Sequence, residues 1–145
     1  MAVIKVDWWV ILALLSAFFA ALVAIFAKVG LVGVDSNLAT AIRSIVMALF
    51  IVGFVAYLGK FNQISQITSK DMIFIILSGV AGALSWLCYF AALTLSDASK
   101  VAPIDRSSVL MVIVLAALFL GEKVTLKTAA AGILIFLGVL LFALK

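Results

Sequence analysis

The sequence predicts an all-α integral membrane protein with five transmembrane helices. Two observations predict it. First, 68% of the residues are hydrophobic and only 11% are charged. A soluble globular domain is about half apolar and about a quarter charged. A soluble helical bundle also needs one polar face per helix, and these charges are too few to build such faces. Second, the apolar residues fall in runs close to the roughly 20 residues that a helix needs to cross a bilayer. The runs do not alternate apolar with polar, which argues against a β-barrel. Together they use up the chain and leave no room for a soluble domain.

The first span is expected at about residues 8–27. Trp8 and Trp9 open it, and their amphipathic rings suit a membrane interface. Its apolar run is longer than a signal-peptide core and a second span follows soon after, so it reads as a retained helix. Lys28 ends the run, and Gly30 and Gly33 permit a turn. The second span, 38–58, follows the capping residues Asp35, Ser36 and Asn37. Arg43 lies about one turn inside it. The connection 59–71 is the most polar stretch, and Ser69 or Asp71 is suited to cap the third span, 72–93. In that span Ser78, Gly79, Gly82 and Ala83 form two overlapping small-xxx-small pairs, a pattern that admits a close neighbouring helix.

A short polar connection, 94–100, leads to the fourth span, 101–120. Pro103 is expected in its first turn, where a missing N–H costs nothing. Asp105 and Arg106 follow, then an unbroken apolar run. Gly121, Glu122 and Lys123 make the next turn. The fifth span, 128–144, contains Gly132 and Gly138. On the first span, Ser16, Ala20, Ala24 and Lys28 recur at helical spacing as a small-residue stripe, which reads first as a helix contact.

The formal net charge is +4, but the basic residues are spread singly near helix ends, so no nucleic-acid stripe exists. An odd number of spans puts the termini on opposite sides. Lys5, Lys60, Lys70, Lys123 and Lys127 fall with the N-terminus, and Lys28, Arg43, Lys100, Arg106 and Lys145 fall opposite, five against five. Setting aside Arg43 and Arg106 as partly intramembrane leaves five against three, a weak bias for an inside N-terminus. Two explanations fit: a short chain with few charges, or insertion in both orientations with antiparallel pairing.

Charge inside a span costs several kcal/mol unless it is paired, snorkelled or wetted. Arg43 therefore carries information. It either snorkels to headgroups or faces an internal cavity. Lys28, Asp105 and Arg106 fall at the same membrane surface by topology, as a polar mouth or as structural ion pairs that include Arg43 with Asp105. Trp86 and Tyr89 lie within the third span, away from an interface. They either pack or wall a cavity, and the Tyr89 hydroxyl needs a partner. There is no histidine, and the single cysteine, Cys88, lies in an apolar run. No metal site, cofactor site, nucleotide motif or catalytic constellation is expected, so the chain does not read as an enzyme.

Residues 86–125 carry a familiar order of features. Trp86 and Tyr89 come first, then Ala91, Ala92 and Leu93. Ala98, Val101 and Pro103 follow, and Leu120, Gly121 and Glu122 precede a glycine-containing last helix. Trp8, Phe19, Lys28 and Gly30 on the first helix, and Arg43 and Ser44 on the second, add to it. The chain resembles the EamA-like family of the drug/metabolite transporter superfamily, in its short single-repeat form, with residues 1–145 as one EamA-like transmembrane domain.

The resemblance implies a secondary transporter or exporter of small metabolites in a cell membrane, most simply a prokaryotic plasma (inner) membrane. Typical members hold two such units in inverted symmetry around a central cavity. A single unit would then need a partner, most directly a second copy in an antiparallel homodimer. Arg43, Trp86 and Tyr89 are the cavity residues that the resemblance points to. Ser16, Ala20, Ala24, Gly79 and Gly82 are helix-packing positions. Asp105 departs from the nonpolar residue expected in many two-unit members. The alternative function is a non-transporting membrane partner that stabilises or regulates another membrane protein.

Overall fold

A computed structural model describes residues 7–143. Lys5 and Lys145, counted in the charge bias, and Leu144, the end of the fifth span, lie outside the described residues. The described chain is helical throughout apart from short connections, and five helices are long and apolar enough to cross a bilayer. They are α1 (Trp8–Gly30), α2 (Ser36–Tyr57), α3 (Ser69–Leu95), a fourth span over Ala98–Leu120, and α6 (Leu126–Ala143). The fourth span consists of α4 (Ala98–Asp105), α5 (Ser108–Leu115) and a π-helical turn, Ala116–Leu120.

The chain divides into two compact units. One is Val29–Leu95, and the other combines Met1–Lys28 with Ser96–Lys145. In the Val29–Leu95 unit, α2 packs on α3. Asp35 caps α2, its carboxylate accepting from the N–H groups of Asn37 at 2.9 Å and Leu38 at 3.0 Å. This satisfies donors that a helix start otherwise leaves open. Past the end of α2, Gly59 takes φ +64, a left-handed conformation that ends helices cheaply only at glycine. The polar connection that follows is not irregular: Lys60–Gln66 forms a 3-10 helix.

The third span starts earlier than its apolar run suggested, and its cap is neither Ser69 nor Asp71. Thr68 is the cap. Asp71 N–H donates to Thr68 Oγ1 at 3.2 Å, while Thr68 N–H donates back to the Asp71 carboxylate at 3.1 Å. This reciprocal pair is a capping box. Helix α3 is 27 residues long, about 40 Å at 1.5 Å per residue, so it exceeds a hydrocarbon core of about 30 Å.

In the other unit, the fourth span departs from regular α-helix at two places. Helix α4 begins at Ala98, so Pro103 falls inside it and not in its first turn. The proline supplies no N–H to the carbonyl one turn back, at Ser99. The helix tightens just beyond it. Ser107 N–H donates to the Ile104 carbonyl at 2.9 Å and Val109 N–H to the Arg106 carbonyl at 3.1 Å, both three residues back. The end of the span is loosened instead: Gly121 N–H reaches the Ala116 carbonyl, five residues back. Gly121, at φ +67, then ends the span. Thr125 caps α6, accepting from Thr128 N–H at 3.1 Å.

Helix α6 packs on both α4 and α5. At Gly132 the approach is close. A Cβ there would lie 3.1 Å from Leu110 Cδ2 and 3.2 Å from Ile113 Cδ1. Hydrophobic burial gives helices no reason to associate inside lipid, so close van der Waals packing of this kind holds them together. Most other large apolar side chains are uncovered by the chain, as an intramembrane surface requires.

Candidate functional site

Helix α2 begins two residues earlier than its apolar run, so Arg43 stands two turns from the helix start. It lies seven residues past Ser36, about 10 Å along the axis at 1.5 Å per residue. Its guanidinium stacks on an aromatic face of α3. Arg43 Cζ is 3.5 Å from the Trp86 ring centroid and 5.6 Å from that of Phe90. A cation held over a ring is attracted by the ring's negative face, by about 2 kcal/mol or more when desolvated. Trp86 is nine residues from the end of α3, about 14 Å along the axis, so this contact lies within the span.

The rings support one another. Trp86 meets Tyr89 edge to face, with centroids 5.7 Å apart and planes at 83°. Trp86 meets Phe90 at 5.8 Å and 66°. Phe90 is almost fully buried and anchors the group. On α2, buried Thr40 donates its hydroxyl to the Ser36 carbonyl at 2.7 Å, and Ser44 donates to the Thr40 carbonyl at 2.8 Å. Both hydroxyl protons are thus used within the helix.

The electrostatics of Arg43 are unbalanced. Its Nη1 is covered by the chain and has no hydrogen-bond partner. An ion pair lies elsewhere: Lys100 with Asp97 at 3.2 Å, one turn apart and exposed. Within the Val29–Leu95 unit the partner of the guanidinium is the Trp86 ring.

The remaining positions singled out in the sequence separate into distinct settings. Lys28 Nζ donates to the Ser96 carbonyl at 2.8 Å, so it is tied to backbone. Asp105 ends α4, and Arg106 is the exposed residue that follows it in the tightened turn. Along the α1 stripe, Ser16 is exposed, Ala20 half-buried and Ala24 buried. On α3, a Cβ built at Gly79 or Gly82 meets nothing within 4 Å. No described residue approaches either position, whereas Gly132, which was not singled out, has Leu110 and Ile113 close by. Phe90 was missed as well. Its position four residues after Trp86 places it on the same helix face and was the available signal.

Among the described residues, no group of histidine, cysteine or acidic side chains could hold a metal ion. The site is cationic and aromatic, and what it can do is bind.

Comparison with known proteins decides the family. Residues 7–144 match the EamA-like transporter family. The chain belongs to this family. It is 46% identical over 135 residues to an uncharacterized transporter in the cobO 3' region of a Sinorhizobium species, covering 93% of this chain and 96% of that protein. No solved structure matches. The chain is thus a multi-pass integral membrane protein of a transporter family, as its residues in the third and fourth spans suggested.

Proposed function

We propose that the chain is a secondary transporter of small solutes that works as an antiparallel homodimer, with Arg43, Trp86 and Tyr89 in the wall of an alternating-access cavity. One observation carries the reading. A guanidinium two turns inside a span stacks on an aromatic face, with no carboxylate partner among the described residues. Such a charge is expensive in a bilayer and persists where it serves a solute path. Family membership and the naming of the Sinorhizobium relative as a transporter support transport itself. Five helices make one repeat, and an inverted second copy would complete a cavity at the repeat interface. Movement would be passive or driven by a gradient, since the sequence carries no nucleotide-binding motif to energise it.

The test is flux into liposomes across a panel of small metabolites, with accessibility tags at both termini and crosslinking between copies. Arg43→Ala is expected to cut flux while the assembly survives. Loss of flux together with loss of assembly would make Arg43 structural. One uniform orientation with monomers only would remove the antiparallel dimer.

A second reading has an observation of its own. The open α3 face at Gly79 and Gly82 would suit close contact with another membrane protein. Crosslinking of that face to a different protein, with no flux for any solute, would favour a non-transporting partner.

A further inference from the structure

Arg43 has more hydrogen-bonding capacity than the described residues use. A guanidinium carries five N–H donors, all in its plane, and no acceptor. Stacking on Trp86 at 3.5 Å occupies a face of the group and leaves the in-plane edge uninvolved. On that edge Nη1 is covered by protein, with no hydrogen-bond partner. A covered and unsatisfied donor on a charged group is costly. Thr40 and Ser44 donate their protons to carbonyls of their own helix, and neither hydroxyl oxygen accepts from Nη1. The partners of the cluster, Trp86 and Phe90, supply rings and no anionic oxygen.

A group that completes this arrangement must accept hydrogen bonds in the guanidinium plane and carry negative charge. Carboxylate and phosphate do both, because two of their oxygens match the spacing of two parallel N–H groups. A cationic solute would meet repulsion at Arg43, and a neutral one would leave the charge uncompensated. We infer that Arg43 recognises its ligand by a carboxylate or phosphate group held edge-on by the guanidinium, with Trp86 backing the face of the cation. This rests on the reading that the cluster faces a solute path, and it narrows that path to oxyanions. The same chemistry is offered by a phospholipid headgroup, so the source of the oxyanion must be resolved by the test.

The chain has three tryptophans, so Trp8→Phe with Trp9→Phe leaves Trp86 as the sole tryptophan, next to the guanidinium and excited apart from tyrosine at the red edge of its absorption. The protein is placed in phosphatidylcholine vesicles and titrated with butyrate, inorganic phosphate and tetramethylammonium. Butyrate or phosphate is expected to give a saturable change in Trp86 emission, and tetramethylammonium none. Arg43→Lys keeps the charge but loses the planar fork, and is expected to weaken the response by about tenfold or more. Arg43→Gln is expected to abolish it. Helicity and monodispersity are checked for both variants. If Arg43→Gln fails to fold, Arg43→Lys decides.

A response that persists undiminished in the variants, or that tetramethylammonium produces equally, overturns the inference. A response seen only on replacing the vesicles with phosphatidylglycerol upholds oxyanion recognition and assigns the oxyanion to the bilayer. Flux assays on the same vesicles keep the two readings apart. Flux of a neutral or cationic solute without any oxyanion response overturns this inference and leaves transport standing. An oxyanion response that depends on Arg43, with no flux for any solute, upholds this inference and overturns transport.

Discussion

Helices α2 and α3 meet through a guanidinium and a group of rings, whereas α5 and α6 meet through a glycine and two methyl ends. Both pairs belong to segments long and apolar enough to cross a bilayer, and each lies within one compact unit. The α5–α6 contact is economical. Gly132 lets Leu110 and Ile113 approach within van der Waals distance, and no polar group is spent. The α2–α3 contact is expensive, because it keeps a charge inside a span with one donor unsatisfied. If α2 and α3 needed only to be joined, small or apolar side chains would do so at lower cost. The contrast marks the α2–α3 pair as the one shaped by something other than packing.

Substitutions can break this contrast. The largest effect is expected on the α2–α3 side. Arg43→Ala should lower solute flux by about tenfold or more, the scale set by losing charge-assisted hydrogen bonds of about 1.5–3 kcal/mol. Thermal stability in detergent should change far less, and a large stability loss would make the cluster a packing device after all. On the α5–α6 side the order reverses. Gly132→Leu should destabilise by about 1–3 kcal/mol through overpacking against Leu110 and Ile113, visible as a lowered melting temperature. Unchanged melting would mean that the close approach is not holding the pair.

Smaller effects sharpen the picture. Trp86→Leu keeps an apolar side chain but removes the ring face under Arg43, and should cost about 0.5–2 kcal/mol, read as weakened solute affinity in the flux assay. Asp35→Ala should cost about 1 kcal/mol of stability through the lost α2 cap, with little change in flux. Gly79→Ala should leave the stability of a single copy unchanged, since its Cβ meets nothing within 4 Å. A change in oligomeric state with that substitution would show that another chain sits on the α3 face.

The spans were legible because hydropathy and length are properties of each segment alone. Helix ends were less so. Asp35 is a local cap and could be read directly. The Thr68–Asp71 box extended α3 into polar sequence that looked like a connection, and Ala98, Ser99 and Lys100 likewise belong to α4. Pro103 was misplaced for the same reason: the proline position was plain, but the helix start that makes it interior was not. Arg43, Trp86 and Tyr89 stood out as polar or aromatic residues in an apolar run. Their grouping depends on how α2 and α3 face each other, which one-dimensional spacing does not contain. Gly132 and Gly79 show this limit most directly, since both are glycines in apolar helices and only the fold tells which one has a neighbour.

The wide turn at Ala116–Leu120 has a bearing on how this chain tolerates change in length. Its closing bond skips one residue more than an α-helical bond does, so the turn holds one surplus position. Removing Ala117 would let the segment close as ordinary α-helix, with Gly121 still available to end it. A one-residue deletion within α5 would turn every later side chain of the span by about 100°. At Ala117 the surplus absorbs the loss, and the chain can be a residue shorter there without moving Leu110 or Ile113 from their places beside Gly132.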